Sequence, residues 1–337
     1  MRSKMFRKYS ARLCGALTVG MAAVFSTAHS EAAAPSAENY PSKPIRIVDA
    51  FTPGGGTDVM ARQIGQKLTE RFKQPVIVDN RPGAGGTIGA GIAAKAAADG
   101  YTLFMAVVSS LAPSVSLYPD LPYNVMKDFA FVALVASGTY VVVVNPALPA
   151  NSISELVALA KSRPGKLSYG STGVGGPAHL VGELLNIRAG VDILAVAYKG
   201  GPAIISAITS DEVQLSYLNI ATVLQLIRAG RLRGLAITAA KRVKAAPELP
   251  TVAESGLPDF DVTPWYGVLA PASTPASIVA QLNREIGSIV QLPDMLTVFQ
   301  SQGLEVSLGT PAQFRQLMQA EINKWAKVIK DAGIKFK

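Results

Sequence analysis

Short apolar runs alternate with glycine loops and amphipathic helices along most of this chain, and that alternation restricts the fold more than any other feature. Ile45-Arg-Ile-Val48 reads as a strand, Pro53-Gly-Gly-Gly56 as a turn, and Thr57 to Phe72 as a helix with Met60, Ile64, Leu68 and Phe72 on one stripe. Val76-Ile-Val78 is the next strand, followed by the loop Arg81-Pro-Gly-Ala-Gly-Gly86. A small-residue helix follows from Thr87 to Ala97, and its glycines and alanines allow close approach to a sheet. Asp99-Gly100 turns the chain into a strand from Tyr101 to Val107. Strand–helix alternation of this kind builds an α/β fold with a mainly parallel sheet flanked by helices.

A second set repeats the pattern. Phe131 to Val144 is a long apolar run broken at Ser137-Gly-Thr139, too long for one strand and suited to crossing between lobes. Ser152 and Glu155 have the spacing of a capping box. Strands are expected at Leu167–Tyr169, Ile193–Ala197, Val213–Leu218, Leu235–Thr238 and Val262–Leu269, with the last returning to the first lobe. Helices between them end at Gly190 and Gly230. Two helices are expected to close the chain. The last starts at Thr310-Pro311, has Gln313 completing a capping box, and buries Phe314, Leu317, Trp325, Val328 and Ile329.

The N-terminus indicates a compartment. Arg2, Lys4, Arg7, Lys8 and Arg12 precede a charge-free stretch from Leu13 to Phe25 and then small residues through Ala34. This is the pattern of a cleaved secretory signal over residues 1–34, and the apolar stretch falls short of the ~20 residues a membrane span needs. Beyond it the chain retains 27 Lys/Arg against 22 Asp/Glu, a net charge of +5, scattered rather than clustered. That balance makes no case for nucleic acid. Cys14 is the only cysteine, and His179 is the only histidine beyond the leader. Most zinc sites, thiol nucleophiles and Ser-His-Asp triads are thereby removed, and no metal or cofactor is expected. About 300 residues suffice for a disulfide-free core divided into two lobes.

Three loops lie between a strand end and a helix start: Thr52-Pro-Gly-Gly-Gly-Thr-Asp58, Gly170-Ser-Thr-Gly-Val-Gly-Gly176 and Lys199-Gly-Gly-Pro202. In parallel α/β sheets such loops line the ligand crevice. Backbone approach at Gly54, Gly55, Gly173 and Gly175, unpaired N–H groups in the first helical turn and the helix dipole together hold a carboxylate or phosphate without a charged side chain. Thr57, Ser171 and Thr172 add hydroxyls. Any one such loop alone is better explained by plain turn chemistry; two in separate lobes favour an anion site between them. Asp49 reads as a hydrogen-bonded strand-end carboxylate, and His179 as structural or adjacent to a ligand. Tyr198, Tyr217 and Asn219 stand at strand ends, facing either the cleft or the core. Nucleotide motifs fail: Ile88 replaces the last glycine of GxGxxG in Gly83-Ala-Gly-Gly-Thr-Ile88, and no P-loop is present.

Ordered stretches carry a more specific signal. They include Tyr40-Pro-Ser-Lys-Pro-Ile-Arg, Asn80-Arg-Pro-Gly-Ala-Gly-Gly86, Asp99-Gly-Tyr-Thr-Leu103, Tyr198-Lys-Gly200, Ala229-Gly-Arg-Leu-Arg233 and Leu249-Pro-Thr-Val-Ala-Glu254. In these, from about Tyr40 to Lys337, the chain resembles the Bug-type solute receptors of the tripartite tricarboxylate transporter family. The resemblance implies a two-lobe periplasmic binding protein (type II-like) with two interlobe crossings, lobe one at 43–136 and 258–337, lobe two at 137–257. It implies capture of a small carboxylate by a monomer that hands it to membrane transporter subunits, with no catalysis. The alternative is an extracytoplasmic enzyme using a carboxylate such as Asp58 as base. Implied contacts are the Thr52–Asp58 and Ser171–Gly175 loops; Ser109, Ser110, His179, Tyr198, Lys199, Tyr217 and Asn219 are further candidates from their positions at strand ends and helix starts. Val107 and Val108 stand where the family often has small or hydroxyl residues, and Leu218 where it often has Asp. These departures point away from acidic amino acids and toward a ligand with an apolar body and a carboxylate end.

Overall fold

The computed structural model describes residues 39–334, so the expected leader over residues 1–34 lies outside the described residues. The chain enters as β1 (Ile45–Asp49), α1 (Gly56–Phe72), β2 (Val76–Asn80), α2 (Thr87–Ala94) and β3 (Thr102–Val107). Two single-turn helices follow, α3 (Val108–Leu111) and α4 (Ser114–Leu117), then β4 (Phe129–Ser137). A second group comprises β5 (Tyr140–Val144), α5 (Ile153–Ser162), β6 (Ser168–Ser171), α6 (Pro177–Ala189), β7 (Leu194–Ala197), α7 (Gly201–Thr209), β8 (Leu215–Asn219), α8 (Ile220–Arg228) and β9 (Arg233–Ile237). The chain then returns through β10 (Trp265–Pro271), α9 (Ala276–Ile289), α10 (Pro293–Ser301), β11 (Glu305–Val306) and α11 (Pro311–Asp331).

Two sheets result among the described residues, ordered β11-β4-β10-β3-β1-β2 and β7-β6-β8-β5-β9. β1, β2 and β3 are mutually parallel, β10 runs against both β3 and β4, and β11 runs against β4. In the other sheet β7, β6 and β8 are parallel, and β5 runs against its neighbours β8 and β9. Of the reversed strands β10, β11 and β5, the two long ones, β10 and β5, enter from the opposite lobe. A strand that has crossed runs away from the gap, whereas those of a βαβ set run toward it. The apolar run read from sequence is β4 and β5, interrupted at Gly138-Thr139. The return path lies beside it, for Gly138 N–H donates to Pro264 O at 2.8 Å and Tyr140 N–H to Thr238 Oγ1 at 3.1 Å.

Among the described residues three apolar clusters hold these layers. Ile47, Met60, Ile64 and Leu103 pack with Leu282, Ile286 and Phe299 on one face of the first sheet. Val141, Val143, Ile204, Ile208 and Val223 do the same on the second. The third cluster runs through both lobes, from Phe104 and Phe129 to Tyr169 and Leu184, by way of α11 packed on α6. Phe314 sits edge-on to Trp265 and Phe131 at centroid distances of 5.1 and 5.2 Å. Fully burying side chains of this kind contributes about 1.5–3 kcal/mol each.

Local departures from the sequence reading have plain causes. Three helices and a two-residue strand close the chain where two helices are expected, because Pro293 opens a new helix within an unbroken apolar pattern. The capping box at Thr310 forms as read, but Ser152 caps α5 alone: its Oγ accepts from Glu155 N–H, while Glu155 Oε2 turns back to Asn151 N–H. α2 stops at Ala94 rather than Ala97, the return strand begins at Trp265 rather than Val262, and Met318 rather than Leu317 is fully buried.

Candidate functional site between the two sheets

Topology alone brings the expected loops to one edge. β4 leads in two residues to β5, so the C-terminal end of β4 marks the gap. β1 and β3 run in the same direction as β4, and β6, β7 and β8 run against β5. The C-terminal ends of all five strands therefore face the gap, which is where parallel α/β sheets bind ligands. Thr52–Asp58 follows β1, Ser109 and Ser110 follow β3, Ser171–Gly175 follows β6, Tyr198 and Lys199 follow β7, and Asn219 ends β8.

α1, α6 and α7 start with glycine N-caps, Gly55, Gly176 and Gly200, that carry no side-chain hydrogen bond. Their first-turn N–H groups therefore lack side-chain acceptors, and the positive dipole ends meet at the gap. α8 differs, because Asn219 Oδ1 accepts from Ala221 N–H at 2.9 Å. Asn219 thus serves as a cap.

The first loop is braced from beneath. Asp58 is buried, and its Oδ2 accepts from Gly54 N–H and Arg62 Nε, each at 2.9 Å. Its Oδ1 accepts from Asn80 Nδ2 at 2.9 Å. Burial acts to raise the Asp58 pKa, but Arg62, Gly54 N–H and Asn80 outweigh it and hold the carboxyl below its usual range. Asp49 is also enclosed; burial pushes it up to about 6 against the pull of Thr57 and the Phe51 backbone, with Asp58 raising it further and Asn80 lowering it. Thr57 is buried beside this group, while Thr52 and Gly54 are exposed.

The second loop spends several of its donors internally. Gly173 N–H reaches the buried Ser171 Oγ at 3.3 Å, Gly176 N–H reaches Gly173 O, and Gly175 N–H reaches His179 Nδ1 at 3.2 Å. His179 is half-buried, and burial lowers its pKa despite the opposing charge of Glu183. Thr172 and Val174 remain exposed at the tip. Ser110 is enclosed and donates to Val107 O, whereas Ser109 opens onto the gap between lobes. Tyr217 is fully enclosed and edge-on to Tyr169 at 5.5 Å. Tyr198 is half-buried and Lys199 exposed.

The lobes touch largely through apolar side chains, of which the sequence reading names Val108 for the cleft but not Pro113, Leu180 or Val181. Val108, Ser109 and Pro113 from one side and Pro177, Leu180 and Val181 from the other line a cavity of ≈ 20 Å³ closed by Tyr140, Val262 and Trp325. A Cβ on Gly175 would lie 2.7 Å from Leu117 of α4. Asn80 and Arg62 were also missed as parts of the site; Asn80 stands in one of the stretches that carry the family likeness, which is the only signal that pointed to it. Among the described residues no group of three or more His, Cys, Asp or Glu is placed to hold a metal.

Comparison with known proteins bears on the fold and the family. Residues 60–334 match the family model described as the tripartite tricarboxylate transporter family receptor. Protein BugT of Bordetella pertussis is 41% identical over 308 residues, covering 91% of this chain and 94% of that protein. The structure of R. palustris Rpa4515 with adipate superposes with a TM-score of 0.75 at 34% identity, covering 88% of this chain and 99% of that one. The periplasmic binding protein BugD gives a TM-score of 0.74 at 30% identity, with 88% and 100% covered. The two-lobed α/β fold and the match along most of its length establish that this chain belongs to the tripartite tricarboxylate transporter receptors, the family of the Bug solute-binding proteins.

Proposed function

We propose that the protein is a periplasmic receptor that closes its two lobes on a small carboxylate and delivers it to the membrane subunits of a tripartite tricarboxylate-type transporter. The observation that carries this reading is the convergence of three helix starts without side-chain caps, two of them in one lobe and one in the other, on a single interlobe edge. Such ends attract an anion from both sides at once. The lobes are assigned to 43–136 with 258–337 and to 137–257, and the ligand contacts to the loops at Thr52–Asp58, Ser109–Ser110, Ser171–Gly175 and Tyr198–Lys199. The apolar wall of Val107, Val108, Pro113 and Leu117 supports a ligand with a methylene or aromatic body between or beside its acid groups. The adipate held by the R. palustris relative has this chemistry. The catalytic alternative is not favoured: Asp58 has both oxygens occupied and a lowered pKa, which makes it a poor base.

A thermal-shift screen across a series of α,ω-dicarboxylates and aromatic acids, followed by calorimetry, tests the proposal. Stabilisation is expected to peak at a diacid with several methylenes and to occur without turnover. A mature protein stabilised by none of the carboxylates would contradict it.

A further inference from the structure

The segment from Thr52 to Gly56 contains three consecutive glycines, so its shape must be imposed from outside. Its own bond from Gly55 N–H to Thr52 O is long at 3.3 Å, whereas Gly54 N–H is held by Asp58 at 2.9 Å. Asp58 is in turn held by Arg62 and by Asn80, the last residue of β2. Asn80 pairs in register with Asp49, the last residue of β1. Its Nδ2 lies 3.0 Å from Asp49 Oδ2, 3.1 Å from Phe51 O and 2.9 Å from Asp58 Oδ1, while its Oδ1 accepts from Arg62 at 3.1 Å. One amide nitrogen with two hydrogens thus faces three acceptors, on the end of β1, on the entry to the loop and in the first turn of α1. The other charged groups nearby are accounted for: Arg62 is on Asp58, and Asp79 is paired with Arg46 and Arg81.

We propose that Asn80 is the positioning residue of the first ligand loop, tying both ends of Thr52–Gly56 to β2 so that the loop's N–H groups are held toward the gap before a ligand arrives. The proposal rests on the reading of this loop as a ligand contact. Only an amide fits the position, because it donates to two carboxylates and accepts from a guanidinium. An aspartate there has the same shape, lacks the donor, and sets a third carboxylate beside Asp49 and Asp58.

Hydrogen exchange on the free mature protein, compared among wild type, Asn80→Ala and Asn80→Asp, tests positioning without any ligand. Both variants are expected to speed exchange at the hydrogen-bonded loop amides Gly54, Gly55 and Val59 by at least about tenfold, in line with losing hydrogen bonds to charged acceptors, while α9 and α11 exchange as in wild type. Measured relative to wild type at each pH, Asn80→Asp is expected to regain protection as the pH falls and its carboxylates take up protons, and Asn80→Ala to show no such recovery. Wild-type exchange in the loop of Asn80→Ala, or acceleration equal in the loop and in α11, would overturn the proposal, the latter by assigning Asn80 to general stability. An adipate titration separates the two levels. If wild type binds adipate and Asn80→Ala binds at least about tenfold more weakly, positioning is supported; equal binding overturns it. If wild type does not bind adipate, the assigned ligand chemistry is at fault and the exchange comparison still decides the role of Asn80.

Discussion

Asp49 ends β1 with its carboxylate enclosed and one oxygen, Oδ1, without a hydrogen bond. Burial is the largest influence on it and raises its pKa from the ordinary 3.8 to about 6. The folded chain therefore binds this proton more tightly than the unfolded chain does. The stability this group contributes is fully present below 3.8 and is lost as the pH rises through about 6. Asp49→Asn removes the ionisation, so its stability relative to wild type should improve by up to about 3 kcal/mol between roughly pH 4 and pH 7. Urea unfolding of both proteins across that window measures it; a difference that does not change with pH would show that Asp49 ionises normally. The strand-end character of Asp49 is legible in the sequence because a lone carboxylate after Ile45-Arg-Ile-Val48 has few other places to go. The brace around Asp58 is not legible. It joins residues 4, 22 and 31 positions apart, on three elements, and neither periodicity nor composition carries that information. For the same reason the sequence leaves Tyr217 between cleft and core, and only the packing against Tyr169 encloses it.

At the level of elements, the glycine loops and caps made most of the strand–helix order readable. Thr310 and Gln313 fix the start of α11, and Gly190, with φ of 60°, fixes the end of α6. α10 escaped because Val290, Leu292 and Met295 continue the apolar pattern of α9 through the break at Pro293. β11 escaped because it has only two residues and exists by pairing with the end of β4. The loop after β6 carries a graded prediction. Gly173 has φ of 106°, a conformation that costs a β-branched residue dearly, and its N–H is tied to Ser171 Oγ. Gly55 has φ of −72°, so a side chain there meets only Thr52 O, at 3.3 Å from the added Cβ. Gly173→Val should therefore weaken carboxylate binding most. Gly55→Val is expected to be intermediate through bulk alone, and Ser171→Ala mildest at roughly 0.5–1.5 kcal/mol. Calorimetry on folded variants gives the order, and a Ser171→Ala loss exceeding both glycine variants would place the carboxylate on the hydroxyl rather than on the backbone.

For the whole molecule, closure depends on how nearly the lobes can approach. Gly303 follows α10 and meets the start of α8, where an added Cβ would lie 2.4 Å from Ile220 and 3.0 Å from Ala221 N. Its φ of 62° adds strain to any substitution. Gly303→Ala should hold the lobes apart, giving a larger radius of gyration with ligand than wild type and weaker binding, although residue 303 lies outside the assigned contacts. Small-angle scattering on protein of verified fold measures this, and wild-type compaction in the variant would show that closure does not use the α10–α8 contact. The two-lobe plan was readable because one apolar run was too long for a strand and broke at Gly138-Thr139; the apolar contact between the lobes was not, since it is assembled from α3, α6 and α11, far apart in the chain. In the proposed complex one small carboxylate bridges both lobes at the strand ends. A crystal structure of the protein with the tightest-binding dicarboxylate tests it most directly. The predicted result is one acid group against Thr52–Asp58 and contact from the Ser171–Gly175 loop across the closed gap. A ligand seated on one lobe alone, with both loops untouched, would contradict it.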